Sequence, residues 1–324
     1  MPCPLSSAEK NSGRAIRRLM FVSGVGRGNG IKSILHEDSL MQHKKEIMEY
    51  VLMSKLNLPK SYLSPSQLDM YNRCPHQYKL RYVDGIKTPP AVSLEDGTAH
   101  HKTIHVNNLH KIKTGKDKTV KFMVQRFQDI FDTAAKDIPK SEWRLSETTK
   151  DKVMKVGAEI QKKYMAVFAP RLTPKFAELE VTIDVDGVKV LGYLDVAGEF
   201  KTPNGTIIGV YDYKTSTKKK TQDELESSIA LSHYGLQALQ LFPRRKIGKN
   251  PPHVGYMILN KGGDHTPLFQ STALTSARLM WYRVQVASAA KAISAGSFPI
   301  RSATGWECSE RFCGFWKRCR GRCK

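Results

Sequence analysis

Leu191-Gly192-Tyr193-Leu194-Asp195, then Pro203-Asn204-Gly205, then Ile207-Ile208-Gly209-Val210-Tyr211-Asp212-Tyr213-Lys214: these residues decide the fold. Side chains alternate along a strand, so Ile208, Val210, Asp212 and Lys214 share one face of the last run. Pro203-Asn204-Gly205 is a strong hairpin signal that turns a strand at 188–198 back beside one at 206–214. Asp186-Gly187 is a second, and it joins 188–198 to an earlier run at 177–185. The three runs predict an antiparallel meander in which Asp195 comes near Asp212 and Lys214 points the same way. Taken alone, Asp-x-Lys also fits an exposed cross-strand ion pair.

Around the meander the period is helical. Leu63-Ser64-Pro65-Ser66-Gln67 offers a capping residue, a proline suited to the first helical position and a glutamine that completes a capping box. The helix that starts there stops at Cys74-Pro75, and a second amphipathic piece runs on to the turn at Asp84-Gly85. Helices are expected at 97–113, 119–136, 146–168, 221–242 and 274–294, with a further strand at 253–260. Helices, three strands, helix, strand, helix describe an α/β sandwich.

Residues 1–58 are basic and carry the Gly-rich run 24–30, so they predict a flexible extension ahead of a single domain at 59–324, with one helix at about 38–55. Their Arg-rich character also fits an organelle transit peptide, and the methionines at 20, 41 and 47 offer later starts. No run reaches the ~18–20 apolar residues that cross a bilayer, so a cytoplasmic protein of a bacterial or phage-infected cell is expected. Lys and Arg outnumber Asp and Glu by 52 to 30, a net charge of +22 that makes nucleic acid the leading partner. A scattered, merely solubilising charge remains the plainer alternative. Gly24-x-Gly26-x-Gly28 lacks the Gly-Lys-Ser/Thr ending of a P-loop, so a helicase or other motor would be a partner.

Two carboxylates and a backbone carbonyl, here that of Tyr213, suit Mg2+ or Mn2+, hard cations that keep several waters. A lysine beside them orients an attacking water or stabilises developing negative charge. Gly192-Tyr193-Leu194-Asp195 followed by Asp212-Tyr213-Lys214 resembles motifs II and III of the RecB-like PD-(D/E)xK nucleases. Leu63-Ser64-Pro65-Ser66-Gln67 with Cys74-Pro75 is similar to the family's opening helix, and Gly97-Thr98-Ala99-His100-His101 to its Gly-Thr-x-x-His motif. The resemblance spans about 62 to 319 and implies a restriction-endonuclease-like core with a helical region at 100–175. It implies a metal-dependent deoxyribonuclease, acting as an exonuclease on single strands or DNA ends in recombination, repair or replication. His101, Asp195, Asp212 and the Tyr213 carbonyl would be the metal ligands, and Lys214 the catalytic amine.

His101 and His105 stand i and i+4, a zinc-capable spacing without the glutamate of a zincin motif. Glu178 and Glu180 stand where such nucleases often carry a further acid. The family's Gln-x-x-x-Tyr motif falls at Gln237, with Leu241 in place of tyrosine. DNA contacts are expected from Gln237, from Lys218, Lys219 and Lys220, and from Arg73. Tyr71, Tyr78 and Tyr82 have the helical spacing of core residues as well as the chemistry of base stacking.

Six cysteines do not suggest a secreted scaffold, because four of them fall in residues 305–324. Cys308-x4-Cys313-x5-Cys319 is close to the iron–sulfur motif of the AddB-like branch, whose distant fourth ligand corresponds to Cys74. A [4Fe-4S] cluster is therefore implied. Cys323 leaves a local four-cysteine Zn2+ site open as an alternative. Two other readings stay open: a noncatalytic DNA-binding iron–sulfur protein with a degenerate nuclease fold, and a zinc-ribbon adaptor, which leaves the strand carboxylates unexplained.

Overall fold

The computed structural model describes residues 56–302 and 304–319. The expected helix at 38–55, most of the N-terminal extension and Cys323 lie outside them. Residues 56–58 do not belong with an extension: Leu56 and Leu58 pack against the core, and Asn57 N–H donates to Ser294 Oγ at 2.8 Å.

Helices come first: α1 (Pro65–Arg73), α2 (Pro75–Tyr78), a π turn (Lys79–Val83), α3 (Val92–Thr114), α4 (Val120–Ala135), α5 (Lys140–Leu145) and α6 (Lys150–Val167). Ser64 caps α1 by accepting from Gln67 N–H, and Thr119 and Thr149 cap α4 and α6 in the same way. The helix expected over 146–168 is α6, which starts four residues late: Glu147 takes a left-handed φ of 50° after α5 ends, and Thr149 caps the new start. The meander follows as β1 (Leu172–Val185), β2 (Val188–Thr202) and β3 (Gly205–Ser216). Asp186 and Gly187 both have positive φ, 52° and 83°, as a tight hairpin turn with right-handed twist demands. The remaining elements are α7 (Gln222–Glu226), α8 (Ile229–Leu241), β4 (His253–Asn260), β5 (Leu268–Ala273), α9 (Ser276–Ser294) and α10 (Trp316–Cys319). The single helix expected over 221–242 breaks between α7 and α8, where Ser228 caps the second by accepting from Leu231 N–H.

The sheet order is β1-β2-β3-β4-β5, with β3 and β4 parallel and the other pairs antiparallel. One face buries Val196, Phe200, Tyr211, Tyr213, Met257 and Leu259 against α3, α4 and α6. The other buries Leu194, Val210, Val254, Tyr256 and Ile258 against α7 and α8. This is the expected sandwich. Tyr71 and Tyr78 are core residues, their rings 5.6 Å apart in an edge contact.

A departure from regular pairing positions the functional groups. The β2–β3 ladder runs from Thr202↔Gly205 to Val196↔Tyr211 and stops one residue short of Asp195 and Asp212. Further back along β2, Leu63 takes the vacant edge: its N–H donates to Lys189 O at 2.9 Å, and Leu191 N–H donates to Leu63 O at 2.8 Å. The segment that leads into α1 therefore wedges into the sheet where β3 has left it. Unpaired backbone inside a fold needs such partners, and the split opens a cleft lined by β2, β3, α1 and α3.

Candidate active site

Asp195 and Asp212 stand on either side of the split. Tyr213 N–H, which regular pairing would direct to β2 backbone, donates instead to Asp195 Oδ2 at 2.8 Å. The other oxygen, Asp195 Oδ1, lies 3.2 Å from His101 Nδ1, reaching in from α3. Asp212 is 3% exposed. Its Oδ1 accepts from the Tyr234 hydroxyl of α8 at 3.0 Å, and its Oδ2 sits 2.7 Å from Lys214 Nζ. That second oxygen is buried without a well-aligned hydrogen bond, so a lone pair remains available to another partner. Lys214 keeps half of its side chain open to solvent. The ends of β2 and β3, with α3, thus bring together His101, Asp195, Asp212 and Lys214.

Burial pushes the Asp212 carboxyl up; the Lys214 ammonium opposes that rise and the Asp195 charge adds to it, and the carboxyl ends raised. Burial works against the charge on Lys214, yet the adjacent Asp212 carboxylate outweighs it and holds the ammonium well above the usual lysine range. Desolvation likewise lowers His101, but its bond to Asp195 prevails and the imidazole is raised. Two acids, an imidazole and a fixed cation share one cleft, the arrangement in which functional groups concentrate.

The chain matches the PD-(D/E)XK nuclease superfamily over residues 62–320. It belongs to that superfamily. The gene 69 protein of Mycobacterium phage D29 is 26% identical over 222 residues, covering 61% of this chain and 78% of the phage protein. The gene 69 protein of Mycobacterium phage L5 is 28% identical over 197 residues, covering 47% and 63%. A candidate exonuclease from Eubacterium rectale, known from a crystal structure, overlaps 87% of this chain and 93% of its own, with 13% identity and a TM-score of 0.42.

Two residues near these acids carry no signal in the strand pattern. Tyr234 reaches Asp212 from α8. Asp69, an exposed residue of α1, stands within electrostatic reach of the same groups: desolvation raises its carboxyl, the Lys214 and Arg73 cations oppose the rise, and Asp212 adds to it. The opening Leu63-Ser64-Pro65 signal announced the helix but not which of its side chains faces the acids.

Gln237, an expected DNA contact, lies in the interior. It is fully buried, and its amide nitrogen lies 3.3 Å from Gly192 O and 3.1 Å from His233 Nε2, bracing β2 from within rather than facing solvent. Gly192 makes room for it; a Cβ there would come within 2.5 Å of His233 Nε2. Lys218, Lys219 and Lys220 are exposed in the loop after β3, where Lys220 pairs with Glu224 at 2.9 Å. Arg73 lies exposed at the end of α1. His105 faces Glu178 at 3.5 Å while His101 faces Asp195, so the two histidines serve different acids. Glu180 holds the Tyr193 hydroxyl on the surface.

No group of three or more His, Cys, Asp or Glu among the described residues forms a ready metal cage. The donors present suit a hard divalent ion completed by water: two carboxylates meeting at a cleft, one of them with a buried oxygen lacking a good hydrogen bond. Among the cysteines, burial raises the Cys313 thiol, and Cys74 and Cys308 lie close enough to raise it further. No helix of the described residues is long and apolar enough to cross a membrane.

Proposed function

We propose that this chain is a divalent-metal-dependent DNA nuclease, an exonuclease working on single strands or DNA ends in phage or bacterial recombination, repair or replication. The observation that carries the reading is the convergence of His101, Asp195, Asp212 and Lys214 at the split between β2 and β3.

Asp195 and Asp212 would hold Mg2+ or Mn2+ with the Tyr213 carbonyl, and His101 would ligate the ion or orient Asp195. In a strand the N–H and C=O of one residue point to the same side, so a Tyr213 N–H directed at Asp195 sends its carbonyl into the same gap. The bound ion would lower the pKa of a water and neutralise charge on the phosphodiester. Lys214, held cationic by Asp212, would stabilise charge developing on the phosphoryl oxygens and orient the incoming water. Tyr234 would keep Asp212 aimed into the cleft. Lys218, Lys219 and Arg73 would bind backbone phosphates, and a separate helicase or recombinase would present the strand.

Cys74, Cys308, Cys313 and Cys319 would hold a [4Fe-4S] cluster tying the C-terminal segment to α1, supported by the closeness of Cys74 and Cys308 to Cys313. Iron and sulfide in anaerobically purified protein, with absorbance near 400 nm, are expected; zinc without iron replaces the cluster with a structural Zn2+ site. The decisive assay is digestion of 5′- and 3′-labelled single- and double-stranded DNA with Mg2+ or Mn2+, with Asp212→Ala as control. Cleavage by the wild type alone supports the assignment, and equal cleavage by the variant ends it.

A further inference from the structure

Trp306 is 67% exposed and Phe312 55%, an unusual position for two such large rings. They meet edge to face, centroids 4.9 Å apart, and the Arg311 guanidinium lies 5.7 Å from the Phe312 centroid. Short backbone bonds fix the loop that presents them: Cys308 N–H donates to Gly305 O at 2.9 Å and Cys313 N–H to Ser309 O at 2.9 Å. Ser309 Oγ closes the turn by donating to Trp306 O at 2.8 Å. The segment is basic in sequence, with seven Lys and Arg against two Glu over residues 301–324, and among its described residues Arg301, Arg311 and Lys317 each pair with a glutamate. An exposed aromatic pair with an arginine on one ring, in a segment of basic sequence, is a place where unpaired bases stack.

The loop that carries the pair is tied to α1. Arg301 donates to the Arg73 carbonyl at 3.3 Å, which fastens this loop to the last residue of α1. Arg73 and Asp69 are i+4 and i on that helix, one turn or ~5.4 Å apart, and Asp69 lies within electrostatic reach of Lys214 and Asp212. A strand entering the cleft along α1 would pass the two rings.

We propose that Trp306 and Phe312 form a base-stacking platform that grips the single-stranded segment of a nucleic acid leading into the cleft. It rests on the nuclease reading for its direction, but its test reads binding, which remains measurable if no cleavage is ever found. Full-length protein in EDTA is titrated with a fluorescein-labelled 20-nucleotide single strand and with a blunt duplex of the same sequence, with anisotropy as the signal. Trp306→Ala and Phe312→Ala are each expected to weaken the single strand about tenfold, with the duplex changed less than twofold. The slope of log affinity against log salt should stay unchanged in both variants, whereas Arg311→Ala should flatten it. Trp306→Phe should restore most of the affinity, which separates stacking from a folding defect detected by circular dichroism. Equal loss on both substrates, or no loss on the single strand, overturns the platform. Shielding of Trp306 from acrylamide in the free protein, or a dimer that Trp306→Ala dissociates, also overturns it by showing that the chain covers the pair itself.

Discussion

The carboxylate end of β2 and β3 and the cysteine-bearing segment after α9 are built in opposite ways. At the strand end each polar group answers to another element: Asp195 to Tyr213 N–H and His101, Asp212 to Tyr234 and Lys214. Buried sheet on both sides keeps those elements fixed. After residue 300 the chain is turns and one four-residue helix, and Phe315 is its sole core side chain among the described residues. A site framed by a packed sheet is formed before any ligand arrives, whereas a segment with so little core depends on cross-links for its order.

Several experiments break or sharpen that contrast. The largest effect is expected from Asp212→Ala, which should lower the cleavage rate on labelled single strands on the order of a thousandfold, several kcal/mol of transition-state stabilisation. The thermal midpoint should shift little. Lys214→Ala should cost on the order of a hundredfold in kcat while the KM for DNA changes little, because its charge acts as the transition state forms. Gly192→Ala should destabilise the domain by about 1–3 kcal/mol in urea unfolding, since its methyl group meets buried His233 and Gln237. Cys308→Ser should leave that midpoint within about 1 kcal/mol yet speed tryptic cutting within 301–319 by roughly tenfold, local opening rather than global unfolding. If the whole domain melts with it, the two regions are not separable. Tyr234→Phe should be mildest, about fivefold in kcat for the loss of one hydrogen bond to a carboxylate.

Much of the sheet was legible because two hairpin turns and a clean period of two bracket the acids. β5 was not: each residue of Leu268–Ala273 is half-buried at a sheet edge, so no face is marked by alternation. β1 begins at Leu172, well before the expected 177, because Pro174 reads as a strand breaker yet is tolerated beside a register shift on an edge strand. Asp212 and Lys214 share a face of β3 and Asp195 lies one hairpin back on β2, which is why they could be read together. Asp69 and Tyr234 come from helices more than a hundred residues apart, and tertiary packing alone brings them near Asp212. Gln237 is buried because α8 packs both on the sheet and against α9, so little of that helix meets solvent, and a single sequence does not mark such a two-sided helix.

The alternation of β3 carries one more consequence. Tyr211 and Tyr213 are locked into the core on one side, the latter holding Asn108 at 3.1 Å, while Asp212 and Lys214 face the opposite way. The tyrosines therefore keep phase for the acids. A single-residue insertion or deletion between Gly209 and Lys214 would turn hydroxylated rings into the cleft and drive a carboxylate and an amine into packed hydrocarbon. Such a frame slip would be rejected by folding itself, so the core proofreads the site before any substrate tests it.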